Sequence, residues 1–115
     1  MKKGELTISN QQAELYEVTK PLLQSMYEEF KELSKKKPEA ALSKGKVKIV
    51  NRLLERVREV LVGEASMDFL DLFDEDDIPQ NSDVVLMLSQ YVAGMAAFKE
   101  KYYGYNGREN VWFTS

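Results

Sequence analysis

The chain has 115 residues, 43% apolar and 30% charged, with a formal net charge of -3, which suits one soluble globular domain spanning residues 1–115. It contains neither cysteine nor histidine. That removes disulfides, thiol chemistry, the Ser-His and Cys-His nucleophile arrangements and nearly all zinc sites. No secretory leader and no apolar run of the roughly 20 residues a membrane span needs is legible, so the expectation is a cytoplasmic protein.

The pattern is helical almost throughout and predicts an all-α fold: a compact bundle of three long helices, one or two short helices and an aromatic C-terminal tail. Ser9 and Gln12 have the spacing of a capping box, which places the first helix start near Asn10. Pro21 either kinks that helix or opens a new one capped by Thr19. Leu22, Leu23, Met26, Phe30 and Leu33 form an apolar stripe, and Lys35-Lys36-Lys37-Pro38 closes the helix.

Within this helix Glu28-Glu29-Phe30-Lys31-Glu32 reads Glu-Glu-x-x-Glu. Over these five residues the chain resembles the all-helical nucleotide pyrophosphohydrolases, in which such a motif holds magnesium with Glu-x-x-Asp on a later helix. The best counterpart of that later motif, Gln80-Asn81-Ser82-Asp83, lacks the first carboxylate. Glu28 and Glu32 also project away from the apolar stripe.

Ser43 caps a second helix reaching about Val62, with Gly63 as its stop. Ile49, Val60, Leu53, Val57, Val50, Leu61, Leu54 and Val47 fill a contiguous arc of roughly 160°, wide enough for more than one neighbour. Lys44, Lys48, Arg52 and Arg56 make a basic line that can meet phosphate, the basis of a nucleic-acid-binding alternative. No aromatic residue lies between Phe30 and Phe69 to stack on bases, and Glu55 and Glu59 interrupt the charge.

Charge is segregated along the chain. Ten basic and three acidic residues lie between Lys31 and Arg58, whereas Glu64 to Asp83 has eight acidic residues and no basic one. Ser66 to Asp74 reads as a short amphipathic helix, followed by an acidic bend at Pro79. The bend does not fit a calcium loop in either register: the glycine and the closing carboxylate are both missing. Asp74, Asp76 and Asp77 remain candidates for a looser cation site.

Asn81 or Ser82 is expected to cap the last long helix, about Asp83 to Tyr103, which is apolar nearly all round and therefore central or covered by a second subunit. The tail carries an Asn106-Gly107 turn and Val111-Trp112-Phe113; its strands are short for a hairpin, so a tail folded back on the bundle is the preferred expectation.

The chemistry points away from catalysis and toward a protein-interaction module that binds another protein and pairs as a homodimer, with no cofactor and no metal. The expected contact patch is Phe69, Leu72 and Phe73 with Asp74, Asp76 and Asp77; Trp112 and Phe113 form a second candidate.

Overall fold

The structure, a computed structural model, describes residues 6–115. The expectation that the chain carries no secretory leader falls in part on residues 1–5, which lie outside that range. The fold is all-α: α1 (Asn10–Lys36), α2 (Lys44–Val60), a short 3-10 helix (Ala65–Phe69) and α3 (Asn81–Tyr102), closed by a small hairpin of β1 (Tyr103–Tyr105) and β2 (Asn110–Trp112). At about 1.5 Å per residue, the 27 residues of α1 account for most of the 49 Å long axis. No helix among the described residues is long and apolar enough to cross a membrane.

Helix α1 begins as its sequence dictates. The Ser9 hydroxyl accepts from the Gln12 backbone N–H (3.0 Å), and the Gln12 side chain accepts from the Ser9 N–H (3.1 Å). Pro21 does not divide it: the helix is continuous from Asn10 to Lys36. Thr19 starts nothing new. It is buried, and its hydroxyl donates back to the Leu15 carbonyl at 2.7 Å, a bond compatible with an unbroken helix.

Tyr16, Leu23 and Phe30, seven residues apart, form the buried edge of α1. Leu22 and Leu33, expected on the same stripe, are largely exposed instead. They stand on the neighbouring edge of the helix, about 100° away.

Ser43 caps α2, and Gly63 (φ 82°) turns the chain off its end, a left-handed conformation that glycine adopts without strain. Val47, Val50, Leu54, Val57 and Val60 are buried in one cluster with Val84, Leu88, Tyr91, Met95 and Phe98 of α3. Ile49, at the margin of the wide arc, is open to solvent.

The expected Ser66–Asp74 helix is shorter and tighter than its pattern implied. It is a 3-10 helix ending at Phe69, with Leu70 in extended conformation after it. Leu70 is buried, and extension lets its carbonyl and those of its neighbours turn inward to bonds on α2 and α3.

Helix α3 starts two residues earlier than expected. Gln80 occupies the cap position, and its N–H donates to Asp83 Oδ2 at 2.9 Å. Asn81 is the first helical residue rather than the cap. It is buried, and its Nδ2 donates to the carbonyl of Lys37 at 2.9 Å, tying α3 to the end of α1.

The C-terminal segment is a hairpin, with Tyr103 opposite Trp112 and Tyr105 opposite Asn110. It also folds back on the bundle: Ile8 N–H donates to the Phe113 carbonyl (3.0 Å) and Phe113 N–H to that of Tyr102 (2.8 Å). The Asn106 side chain accepts from the N–H groups of Arg108 and Glu109, building the turn that Gly107 (φ 102°) completes.

Candidate protein-interaction surfaces

The acidic segment is fastened to the bundle through its backbone. Arg58 on α2 donates to the Leu70 carbonyl. The Tyr91 hydroxyl on α3 donates to the Asp71 carbonyl at 2.8 Å. Asn51 on α2 both accepts from the Phe73 N–H (2.9 Å) and donates to the Phe73 carbonyl (2.7 Å). Polar groups of the bundle thus satisfy the carbonyls of Leu70, Asp71 and Phe73 and the N–H of Phe73, while the side chains of Asp71 and Leu72 face outward and those of Leu70 and Phe73 pack inward.

Phe69 is 69% exposed and Leu72 39% exposed, whereas Phe73 is half-buried against the core. Two of the three apolar residues expected in the contact patch therefore face solvent, and the third anchors the segment. Asp68, Asp71, Asp74, Asp76 and Asp77 are exposed along the same stretch of chain. The Asp76 N–H donates to Asp74 Oδ1 at 2.8 Å, which shapes the bend. Among the described residues, no group of three acidic side chains has the geometry to hold a metal ion.

The acidic and basic segments meet. Lys44 Nζ lies 3.8 Å from Asp76 Oδ1, and Lys48 Nζ 3.7 Å from Glu75 Oε1. The four cations of the basic line are consequently divided. Lys44 and Lys48 face the acidic bend, whereas Arg52 and Arg56 line a groove between α1 and α2. Arg56 is paired with Glu59 at 3.1 Å.

That groove, about 580 Å³ in volume, is the surface that sequence reasoning missed. Leu15, Val18, Leu22 and Met26 of α1 and Ile49 and Leu53 of α2 line it. Val18, Leu22 and Ile49 are 60%, 54% and 55% exposed. Its signal in the sequence was the excess of apolar positions: α1 carries a second apolar edge, and the α2 arc is wider than one seam requires.

Glu28 and Glu32 are exposed and paired along the helix with Lys31 and Lys35, each at 3.1 Å. The Lys31 bond holds the Glu28 carboxyl below its ordinary range. Asp83 is engaged at the start of α3, so the structure does not assemble these carboxylates into one cluster.

Trp112 is half-buried, with Tyr16, Phe98 and Tyr103 around its ring at centroid distances of 4.8, 5.9 and 5.1 Å. Its Nε1–H donates to Glu17 Oε1 at 2.8 Å. Phe113 is likewise half-buried. At the other end of the acidic segment, the Tyr102 hydroxyl donates to Glu64 Oε2 at 2.8 Å, and Lys101 Nζ lies 3.4 Å from Glu64 Oε1. Burial first, then this bond, raises the Tyr102 phenol; the bond to Tyr102 and the charge of Glu64 raise the Lys101 ammonium. No protein-family model matches the chain, and neither does any curated protein or solved structure.

Proposed function

We propose that this chain is a non-catalytic protein-interaction module, an adaptor, inhibitor or regulator working as a homodimer, that presents Phe69 and Leu72 on a carboxylate-rich segment. The observation that supports this reading is the exposure of Phe69 on a segment whose backbone is bonded to α2 and α3. A large apolar side chain on a fixed base costs little entropy when it binds, and such residues are the usual anchors of interfaces. The exposed Asp68, Asp71, Asp74 and Asp77 along the same segment favour a partner that combines basic and apolar groups.

Nucleic-acid binding through α2 is the lesser reading, because Lys44 and Lys48 already face Asp76 and Glu75. Affinity capture with the tagged protein from a native lysate, with and without nuclease, tests both. A stoichiometric protein that survives nuclease and is lost with Phe69→Ala/Leu72→Ala supports the module. Co-purifying nucleic acid that vanishes with nuclease, and capture unchanged by the two substitutions, would overturn it.

A further inference from the structure

We propose that the groove between α1 and α2 is a self-association surface, in which two copies pack about a two-fold axis with α1 of each lying in the groove of the other. The inference rests on the homodimer named above and gives it a surface; it does not depend on the Phe69 patch.

The apolar edge of α1 comes first. Leu15, Val18, Leu22, Ser25, Met26, Glu29 and Leu33 fall within an arc of about 100° at 3.6 residues per turn. All line the groove or its continuation past Glu29 to Leu33. Leaving Val18, Leu22 and Ile49 each more than half exposed on one face is what a two-helix surface looks like before a further helix covers it. Antiparallel α1 helices from two copies, flanked by their α2 helices, would complete a four-helix arrangement.

Charge fixes the occupant as a second copy. Gln12 Nε2 donates to the Val60 carbonyl at 3.1 Å and sets the antiparallel register of α1 and α2. Counting eight residues along each helix brings Arg52 level with Lys20. Glu29 then lies nine residues farther along α1, about 13 Å away. Both Glu29 and Arg52 line the groove, and among the described residues neither has an ion-pair partner.

A two-fold axis midway between these levels passes beside Ser25, whose small side chain admits a close helix. It sets Glu29 of each copy against Arg52 of the other, twice over. The same operation brings Ile49 level with Met26 of the second copy, and Leu33 within one residue, about 1.5 Å, of the level of Leu15. One symmetry operator therefore matches the apolar positions and both unpaired charges, as an isologous interface requires.

The test is light-scattering mass against concentration for the full chain. The expected result is a species of twice 13.3 kDa. Leu22→Lys and Ile49→Lys, at exposed positions, should return it to a monomer with an unchanged helical spectrum. Glu29→Arg alone and Arg52→Glu alone should each weaken association at least about tenfold, because like charges then face each other twice. Mixing the two variants should restore it, since both pairs in the mixed dimer are again opposite in sign.

A monomeric wild type at about 100 µM would overturn the proposal. So would a dimer indifferent to Leu22→Lys and Ile49→Lys, or a mixture that fails to recover. Mass climbing past the dimer would replace it with head-to-tail association. Phe69→Ala/Leu72→Ala should leave the mass unchanged, so failure of the partner-binding patch and failure of this interface are read separately.

Discussion

Asn51 of α2 grips the backbone of Phe73 from both sides, accepting from its N–H at 2.9 Å and donating to its carbonyl at 2.7 Å. One half-buried amide thus replaces the sheet partner that an extended segment would otherwise need. Asn51→Ala should destabilise the fold by about 1–3 kcal/mol, because it strands two backbone groups rather than one. Urea unfolding measures the loss. Amide exchange at Phe73 should accelerate more than exchange at the centre of α3. Equal acceleration at both sites would mean that Asn51 supports the whole bundle and not this segment.

Phe69 and Leu72 should be nearly irrelevant to stability. Replacing both with Ala should change unfolding free energy by less than about 0.5 kcal/mol each, since exposed side chains away from caps and networks contribute little. Partner affinity, by contrast, should fall tenfold or more if they are interface anchors. Reversing Asp74, Asp76 and Asp77 to Lys should weaken binding and flatten its salt dependence. A large stability loss from Phe69→Ala would show that the residue packs inward in solution.

The pairs Lys44–Asp76 and Lys48–Glu75 are long and exposed. Screening leaves such pairs worth about 0–1 kcal/mol. Lys44→Gln/Lys48→Gln should therefore keep the unfolding midpoint in urea almost unchanged. A shift equivalent to several kcal/mol would make the charged seam a principal support of the acidic segment.

Much of this architecture was legible in local chemistry. Ser9 with Gln12, Ser43 and Gly63 act only on their own helix ends, and each does what its residue type predicts. The errors came where tertiary partners decide. The 66–74 pattern has helical periodicity, but Asn51, Arg58 and Tyr91 offer its backbone long-range bonds that an α-helix would forfeit. Asn81 looked like a cap, yet Lys37, 44 residues away, takes its side chain. For the candidate surfaces, periodicity marked Leu22 and Ile49 as apolar-face residues without revealing which edge of that face stays open. Only the placement of α3 decides that.

Tyr91 makes the fold sensitive to alkali. Its ring is fully buried, its hydroxyl bonds the Asp71 carbonyl, and burial raises its pKa above 10.0. Tyr16 and Tyr102 shift the same way, mainly through burial, and Lys101 rises above 10.5. Above about pH 10 the unfolded chain releases phenolic protons that the folded chain retains. The unfolded state then binds fewer protons, so stability falls as pH rises. The contribution is fully present below pH 10 and is lost through the folded-state values. Unfolding free energy measured between pH 9 and 11.5 should decline more steeply in the wild type than in Tyr91→Phe, although that variant starts lower for want of the Asp71 bond. Parallel curves would mean that Tyr91 titrates alike in both states.

Gly94 of α3 links the core to the Phe69 platform. A Cβ built there would lie 3.3 Å from Ser66 Oγ and 3.4 Å from Leu61 Cδ1. The first is tighter than ordinary contact, and the second is at its edge. Mid-helix glycine costs about 1 kcal/mol relative to alanine, so Gly94→Ala sets a propensity gain against a small displacement of the 3-10 helix. The two should nearly cancel, giving a stability change within about 1 kcal/mol. Gly94→Val has no such compensation: its added methyls press on Leu61 and Ser66, and overpacking of this kind costs about 1–3 kcal/mol. Because Ser66 lies three residues before Phe69, the displacement should reach the proposed contact patch. Gly94→Val should therefore lose partner affinity as well as stability, whereas Gly94→Ala keeps the larger part of both. Urea unfolding and partner titration on the two variants would measure the difference. If Gly94→Val binds as the wild type does, the patch does not depend on the seat of the 3-10 helix.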